Sequence, residues 1–102
     1  MKEKITAIVL TFNEEKHIER CLLSIRNLAT DILVVDSFSE DNTVAIAKKI
    51  GAEVIQNKWV NYAEQFNYAL GYIKDKKGWV IRLDADEVFS DILIDNITEF
   101  VK

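Results

Sequence analysis

Two aspartates, Asp84 and Asp86, stand two positions apart after the apolar run Trp79 to Leu83. If the strand continued, their carboxylates would point to the same side, and a turn would let both approach one cation. Carboxylate oxygens in that arrangement suit Mg²⁺ or Mn²⁺ held together with a diphosphate. Desolvated carboxylates at the end of an apolar strand would also repel each other without a cation. The pair is therefore a candidate metal site, although an isolated Asp-x-Asp also occurs in ordinary surface turns.

Polar residues also follow two earlier apolar runs, Ile5 to Thr11 and Ile32 to Val35. An open parallel sheet binds its ligands beyond the carboxyl ends of its strands, so these residues are candidates for the same site. Two interpretations of Asp36 remain open, a contact with a ligand or a cap of its turn together with Ser37 and Ser39. The candidates at these two strand ends are Thr11, Phe12, Asn13, Glu14, Asp36 and Ser37.

The elements that must position these residues follow from the hydrophobic periodicity. Short apolar runs, each followed by a stretch of helical spacing, predict four strands at Ile5–Thr11, Asp31–Asp36, Glu53–Gln56 and Trp79–Asp84. Gly51 is expected to end the second helix in a left-handed cap, and Asn61 and Ser90 are expected to cap the third and fourth. The third helix is predicted to bury one face formed by Ala63, Phe66, Leu70 and Ile73. The alternation predicts an α/β fold, a Rossmann-like mostly parallel sheet between helical layers.

The composition restricts the class of protein further. The chain has 102 residues, no proline, 49% hydrophobic residues and a net charge of −4, which is typical of one compact domain. Its charges are interspersed, so we expect no nucleic-acid partner. The three glycines do not form a glycine-rich turn at a strand end, which excludes a dinucleotide fingerprint and a P-loop. No apolar run approaches the roughly 20 residues of a membrane span, and no signal peptide is evident, so a cytoplasmic location is expected.

Four motifs occur in order along the chain, with strand–helix spacing between them. They are AIVLTFNEE at residues 7–15, LVVDSFSEDNT at 33–43, VIQNKWVNYAEQFNYAL at 54–70 and WVIRLDADE at 79–87. With these motifs the sequence resembles the nucleotide-binding part of family 2 glycosyltransferases with the GT-A fold, most of all the lipopolysaccharide-core β-glucosyltransferase group. This resemblance implies a strand order of 3-2-1-4 and an inverting transferase that uses a nucleotide-diphosphate sugar, with UDP as the expected nucleotide.

The resemblance also implies roles for individual residues. Phe12 and Glu14 would contact the base and ribose, and Asp36 would accept a hydrogen bond from uracil. Asn67 would lie near the nucleotide, although an ordinary amide on a helix surface is nearly as consistent with its position. Ser37 stands where a second aspartate is common in the family. The implied nucleotide-sugar site comprises Thr11, Phe12, Asn13, Glu14, Asp36, Ser37, Asn67, Asp84 and Asp86, with Mg²⁺ or Mn²⁺ on Asp86 and Asp84.

The family places its catalytic base and acceptor-binding residues after the Asp-x-Asp segment. We therefore expect residues 1–102 to form a single truncated domain, the donor-binding half of the enzyme, with the acceptor half absent and no catalytic base to assign. The expected partners are a UDP-sugar and a saccharide or glycolipid acceptor such as lipopolysaccharide core. The full-length enzyme would associate peripherally with the inner face of the membrane. The strand at Trp79 to Leu83 would be an open edge, which predicts a homodimer.

Two other classes of protein fit part of the pattern. Asp84 to Val88 match the D-x-D-x-[TV] signature of haloacid-dehalogenase-like phosphohydrolases, in which Asp84 would be the nucleophile and Asp86 an acid/base. A non-enzymatic, receiver-like interaction module with an acidic pocket is the other alternative. Haloacid-dehalogenase-like enzymes begin their catalytic fold with the strand that precedes this motif, whereas here the motif lies near residue 102. A receiver-like module needs a fifth strand, and the sequence predicts four.

Overall fold

The computed structural model describes residues 4–73 and 78–101. In this part of the chain, four strands alternate with four helices. The strands are β1 (Ile5–Thr11), β2 (Asp31–Asp36), β3 (Glu53–Gln56) and β4 (Trp79–Asp84). The helices are α1 (Ile18–Ile25), α2 (Thr43–Ile50), α3 (Tyr62–Tyr72) and α4 (Asp91–Phe100). All four predicted strands are confirmed with their predicted bounds.

The strands form one parallel sheet in the order β3-β2-β1-β4. The predicted order 3-2-1-4 is thereby confirmed. The register places Thr11 opposite Asp36 and Leu10 opposite Asp84, so three strands end at nearly the same level. Because parallel strands share one direction, the polar residues that follow them meet at one edge of the sheet.

Strand β1 is the centre of the fold, and all seven of its residues are buried. Its side chains alternate between the two faces of the sheet. On one face Ala7 and Val9 pack with Leu22 of α1 and Ala47 of α2. On the other face Ile8 and Leu10 pack against α3. The sheet therefore lies between two helical layers, as the strand–helix alternation predicts.

The local signals that end or begin helices act as expected. Gly51 has φ +104° and ends α2 in the left-handed conformation. The Asn61 and Ser90 side chains accept hydrogen bonds from the backbone N–H groups of Glu64 and Leu93, at 2.8 and 3.1 Å. All three predicted caps are confirmed.

Helix α3 differs from its predicted pattern. Its fully buried residues are Gln65 and Ala69, whereas Ala63 is exposed. Phe66, Leu70 and Ile73 are partly buried against the sheet, as expected. The residue that α3 buries near its N-terminal end is therefore the polar Gln65, whereas the prediction places Ala63 there.

Strand β4 and helix α4 form the least covered part of the molecule. Within the described residues β4 is an outer strand that pairs with β1 alone, and α4 buries none of its residues. The two elements meet through an edge-on contact of Trp79 and Phe100, with ring centroids 5.2 Å apart. Among residues 4–73 and 78–101, no helix combines the length and the apolar character needed to cross a membrane.

Candidate functional site

A cavity of about 560 Å³ lies at the edge of the sheet where β1, β2 and β4 end. Its walls come from these three strand ends and from the segment that joins β3 to α3. Eight of the lining residues carry side chains that could contact a ligand through polar or aromatic groups: Thr11, Phe12, Glu14, Ser37, Trp59, Tyr62, Asp84 and Asp86. Leu10 and Ala85 complete the lining. Six of the nine predicted site residues are thus brought together.

The acidic wall of the cavity is a tight turn that begins at Asp84. The Asp84 N–H donates to the carboxylate of Glu87 at 2.6 Å, and the Glu87 N–H donates to the Asp84 carbonyl at 2.9 Å. Burial raises the pKa of Asp84, and the nearby charges of Glu87 and Asp86 add to this, while the positive charge of Arg82 opposes it. The partly buried carboxylate of Asp84 is therefore repelled by the neighbouring carboxylates, and a bound cation would reduce this repulsion.

The donor set of this wall fits a hard divalent cation. Asp84 and Asp86 supply carboxylate oxygens to the same cavity, and Mg²⁺ and Mn²⁺ prefer such oxygens. In the described part of the chain, no group of three or more His, Cys, Asp or Glu residues is placed to hold a metal. A cation held by two carboxylates would take its other ligands from a phosphate and from water, as Mg²⁺ commonly does.

Cys21 lies directly beneath the acidic turn. Its thiol is fully buried and lies 3.7 Å from the carbonyl oxygen of Asp84, to which it can donate a weak hydrogen bond. Burial raises the pKa of Cys21 to about 12, and the surrounding carboxylates contribute in the same direction. Because the thiolate is the nucleophilic form, burial makes Cys21 a poor nucleophile, and its observed contact is with the backbone of the turn.

An aromatic wall faces the acidic turn. Phe12, Trp59 and Tyr62 all line the cavity and keep large exposed surfaces. The Trp59 and Tyr62 rings meet edge to face with centroids 4.9 Å apart, and the Arg82 guanidinium lies 5.7 Å from the centre of the Tyr62 ring. The motif at 54–70 contains Trp59 and Tyr62, but sequence reasoning assigned them no role. Their position depends on the path of the β3–α3 connection across the sheet edge.

The loops after β1 and β2 are held together by hydrogen bonds between side chains and backbone. The Asn13 N–H donates to Ser39 Oγ and the Glu40 N–H donates to Asn13 Oδ1, both at 2.8 Å. The Glu14 N–H donates to Thr43 Oγ1, also at 2.8 Å. Asn13 has φ +51°, a left-handed conformation that asparagine tolerates better than most residues. Asn13 thus joins the two loops and holds its neighbours in sequence at the cavity, but it does not line the cavity itself.

Asp36 is fully buried and does not line the cavity. One of its oxygens accepts from Thr11 Oγ1 at 2.6 Å and from Ser39 Oγ at 2.5 Å, and the other accepts from the Ser39 N–H at 2.8 Å. The contacts of Asp36 with Ser39 agree with the turn-capping interpretation. Asp36 also accepts a hydrogen bond from Thr11. The uracil contact implied by the resemblance stays a prediction, with Asp36 enclosed by donors of its own chain.

Ser37 is held by a buried polar network that sequence reasoning missed. Gln65 is fully buried, and its Nε2 donates to Ser37 Oγ at 3.0 Å and to the Asn57 carbonyl at 3.2 Å. The Gln65 side-chain oxygen accepts from Asn57 Nδ2 at 2.9 Å. Gln65 lies outside the apolar face that the sequence predicts for this helix, so the pattern of apolar residues gave no signal for its burial.

Asn67 is exposed on α3 and is not among the residues that line the cavity. Gln65 is buried two positions earlier on the same helix, so the two side chains take different directions. The predicted role of Asn67 near the nucleotide remains a prediction.

Comparison with known proteins identifies the family. The model of the family described as glycosyl transferase family 2 matches residues 6–102, which is nearly the whole chain. The chain belongs to glycosyl transferase family 2. Membership in this family, together with the sheet order, excludes the phosphohydrolase and receiver-like alternatives.

Curated relatives of this family 2 chain are considerably longer. An uncharacterized glycosyltransferase of Rickettsia conorii is 40% identical over 97 residues, which cover 95% of this chain and 34% of the relative. The prophage-derived glycosyltransferase SunS of Bacillus subtilis is 36% identical over 90 residues, or 84% of this chain and 21% of that protein. The chain spans about a third of the length of the Rickettsia relative.

Solved structures of the same fold include glucosyl-3-phosphoglycerate synthase from Mycobacterium tuberculosis. Its complex with UDP superposes with a TM-score of 0.71 at 25% identity and covers 84% of this chain and 35% of that one. Its complex with Mn²⁺, UDP and glucosyl-3-phosphoglycerate gives a TM-score of 0.69 over 81% of this chain and 33% of that one. The family 2 chain therefore has the GT-A fold predicted from its motifs.

Proposed function

We propose that this chain is the donor-binding part of an inverting glycosyltransferase and that its cavity binds a nucleotide-diphosphate sugar, specifically a UDP-sugar. The observation that carries the proposal is the meeting of an acidic pair and an exposed aromatic ring in one cavity at the ends of parallel strands. UDP and Mn²⁺ complexes of the mycobacterial synthase, which has the same fold, support this ligand.

The order of the strands suggests how the ligand lies. Asp84 ends β4 and Ser37 follows β2, with β1 between them. Neighbouring strands are about 4.8 Å apart, so these ends are separated by roughly 10 Å, a distance that a nucleoside diphosphate can span. We therefore place the diphosphate at Asp84 and Asp86 and the base and ribose at Thr11, Phe12, Glu14 and Ser37.

Asp84 and Asp86 would hold the Mg²⁺ or Mn²⁺ that accompanies the diphosphate. A divalent cation at that position would offset the negative charge that the leaving nucleoside diphosphate gathers. The chain itself contributes the two carboxylates, the turn closed by Glu87 that presents them, and the aromatic wall that limits access of water to one side of the cavity.

UDP together with Mn²⁺ is expected to raise the melting temperature of the chain. Ligand at a hundred times its Kd adds about 2.7 kcal/mol, which for a domain of this size corresponds to about 10 °C or more. Differential scanning fluorimetry with UDP alone, Mn²⁺ alone and both together measures this. Absence of a shift with both ligands, or an equal shift with a phosphoryl mimic such as beryllofluoride, would contradict the proposal.

Acceptor binding and the catalytic base are proposed for a longer enzyme that would contain this chain. We propose that residues 1–102 form a single donor-binding domain and that acceptor binding and the catalytic base belong to a part of the enzyme outside it. A saccharide or glycolipid such as lipopolysaccharide core is the proposed acceptor, because the Asp-Ser-Phe-Ser turn and the Asn-Lys-Trp segment resemble that subgroup. Such an acceptor would place the enzyme in the cytoplasm at the inner face of the membrane.

The chain is expected to self-associate through β4. Its outer edge offers unpaired backbone groups, and the apolar side chains of Trp79 and Val80 are each 41% exposed on this strand. Light scattering over a concentration series should show a dimer of about twice 11.7 kDa. Val80→Lys should shift the equilibrium to monomer, whereas Leu23→Lys, an equally exposed change on α1, should not. A strictly monomeric chain at high concentration would refute this.

A further inference from the structure

Buried neighbours determine whether each of two hydroxyl groups in the cavity wall can donate a hydrogen bond to a ligand or accept one from it. Thr11 ends β1 and Ser37 follows β2, so they stand on adjacent strand ends. Both residues are mostly enclosed, with 4% and 8% of their surface exposed. A hydroxyl donates one hydrogen bond and accepts others, so its partner inside the protein decides what it can offer a ligand.

Thr11 is left as an acceptor. Its hydroxyl donates to the fully buried carboxylate of Asp36 at 2.6 Å. The other groups that contact this carboxylate are also donors, the hydroxyl and the backbone N–H of Ser39. Because the Thr11 hydroxyl hydrogen is engaged in the bond to Asp36, the oxygen of Thr11 presents only lone pairs to the cavity.

Ser37 is left as a donor by the opposite arrangement. Gln65 Nε2 lies 3.0 Å from Ser37 Oγ and 3.2 Å from the carbonyl oxygen of Asn57. A backbone carbonyl can only accept, so the end of the Gln65 amide that faces it must be the nitrogen. Ser37 Oγ therefore accepts from Gln65, and within residues 4–73 and 78–101 no acceptor receives a hydrogen bond from the Ser37 hydroxyl.

We propose that Gln65 and Asp36 are positioning residues that make Ser37 a donor and Thr11 an acceptor toward the base of the bound nucleotide, and thereby select uracil. This inference rests on the proposed function. A uracil ring carries an N–H donor next to carbonyl acceptors, which match Thr11 and Ser37 respectively. Cytosine has an amino donor where uracil has the O4 acceptor, and its neighbouring ring nitrogen accepts, so the same edge has the opposite polarity.

The change Gln65→Glu reverses the polarity of Ser37. A carboxylate oxygen in place of Nε2 accepts a hydrogen bond from the Ser37 hydroxyl, so Ser37 then offers only lone pairs to the base. Isothermal titration calorimetry with UDP and with CDP, each with Mn²⁺, measures the ratio of the two Kd values. We expect the preference of the wild-type chain for UDP to fall about tenfold, the effect of losing one hydrogen bond and leaving its acceptor unpaired.

Gln56→Glu is the matched control. It introduces the same charge at an exposed position on β3 that does not line the cavity, so the UDP-to-CDP ratio should stay unchanged. Ser37→Ala provides an independent variant if Gln65→Glu folds poorly, since it removes the hydroxyl from the cavity wall without adding a buried charge. Its expected loss of preference is about three- to tenfold.

A purely structural role for Gln65 or Ser37 would weaken UDP and CDP binding equally and leave the ratio unchanged. An equal ratio in the wild-type chain, Gln65→Glu and Ser37→Ala would therefore overturn the inference, as would a wild-type chain that binds UDP and CDP equally. If the wild-type chain bound neither nucleotide in the presence of Mn²⁺, the proposed function itself would be wrong, and this inference with it.

Discussion

Asp86→Ala is expected to abolish the manganese-dependent part of UDP binding. Asp86 is exposed in the cavity wall and is free to turn toward a cation, whereas the Asp84 backbone is fixed by the turn to Glu87. Loss of a group that only orients a metal ligand costs about 10- to 100-fold in metal affinity, so loss of a ligand should cost at least as much. Calorimetric titration of UDP with and without Mn²⁺ measures the difference.

Asp95→Ala is the matched control for this prediction. It removes the same charge from an exposed position on α4 that does not line the cavity, so it separates a specific ligand from a general change in net charge. Manganese should enhance UDP binding to this variant as strongly as to the wild-type chain. If Asp86→Ala retained the full manganese effect, the assignment of the metal to the acidic pair would be incorrect.

The chain of residues 1–102 is expected to transfer sugar at a negligible rate even when it binds UDP-sugar. Inverting displacement needs a base to deprotonate the acceptor hydroxyl, and such a base contributes about 10²- to 10⁴-fold to the rate. The carboxylates that line the cavity are Glu14, Asp84 and Asp86, and we assign all three to the donor and its cation. Glu87 accepts from the Asp84 N–H and closes the turn.

Incorporation of radiolabelled sugar from UDP-glucose into a lipopolysaccharide-core acceptor tests this expectation. Calorimetric binding of UDP with Mn²⁺ to the same preparation shows that the chain is folded, so that inactivity is not mistaken for loss of structure. Slow hydrolysis of the donor is compatible with the prediction. Efficient transfer to the acceptor would show that the catalytic base lies within these residues, and the donor-half proposal would then fail.

The sequence by itself determined the elements and the family of this protein. Strand bounds follow from short apolar runs, and the caps at Gly51, Asn61 and Ser90 follow from residues that act within one helical turn. These signals are local, so they can be interpreted before the chain is folded. The strand order came from the resemblance of four motifs to the family, because periodicity alone does not determine which strands are neighbours. The candidate residues at the strand ends followed from the rule for parallel sheets.

Only the tertiary structure decided which candidate side chains face the cavity. Asp36 is enclosed by Thr11, 25 positions away, and Ser37 is held by Gln65, 28 positions away. Trp59 and Tyr62 reach the cavity because the β3–α3 connection crosses the end of the sheet. Each of these placements depends on contacts between different elements, and burial of one polar group forces its neighbours to supply partners. The residue types could indicate a site at this edge, but which of its groups donate and which accept was settled by packing.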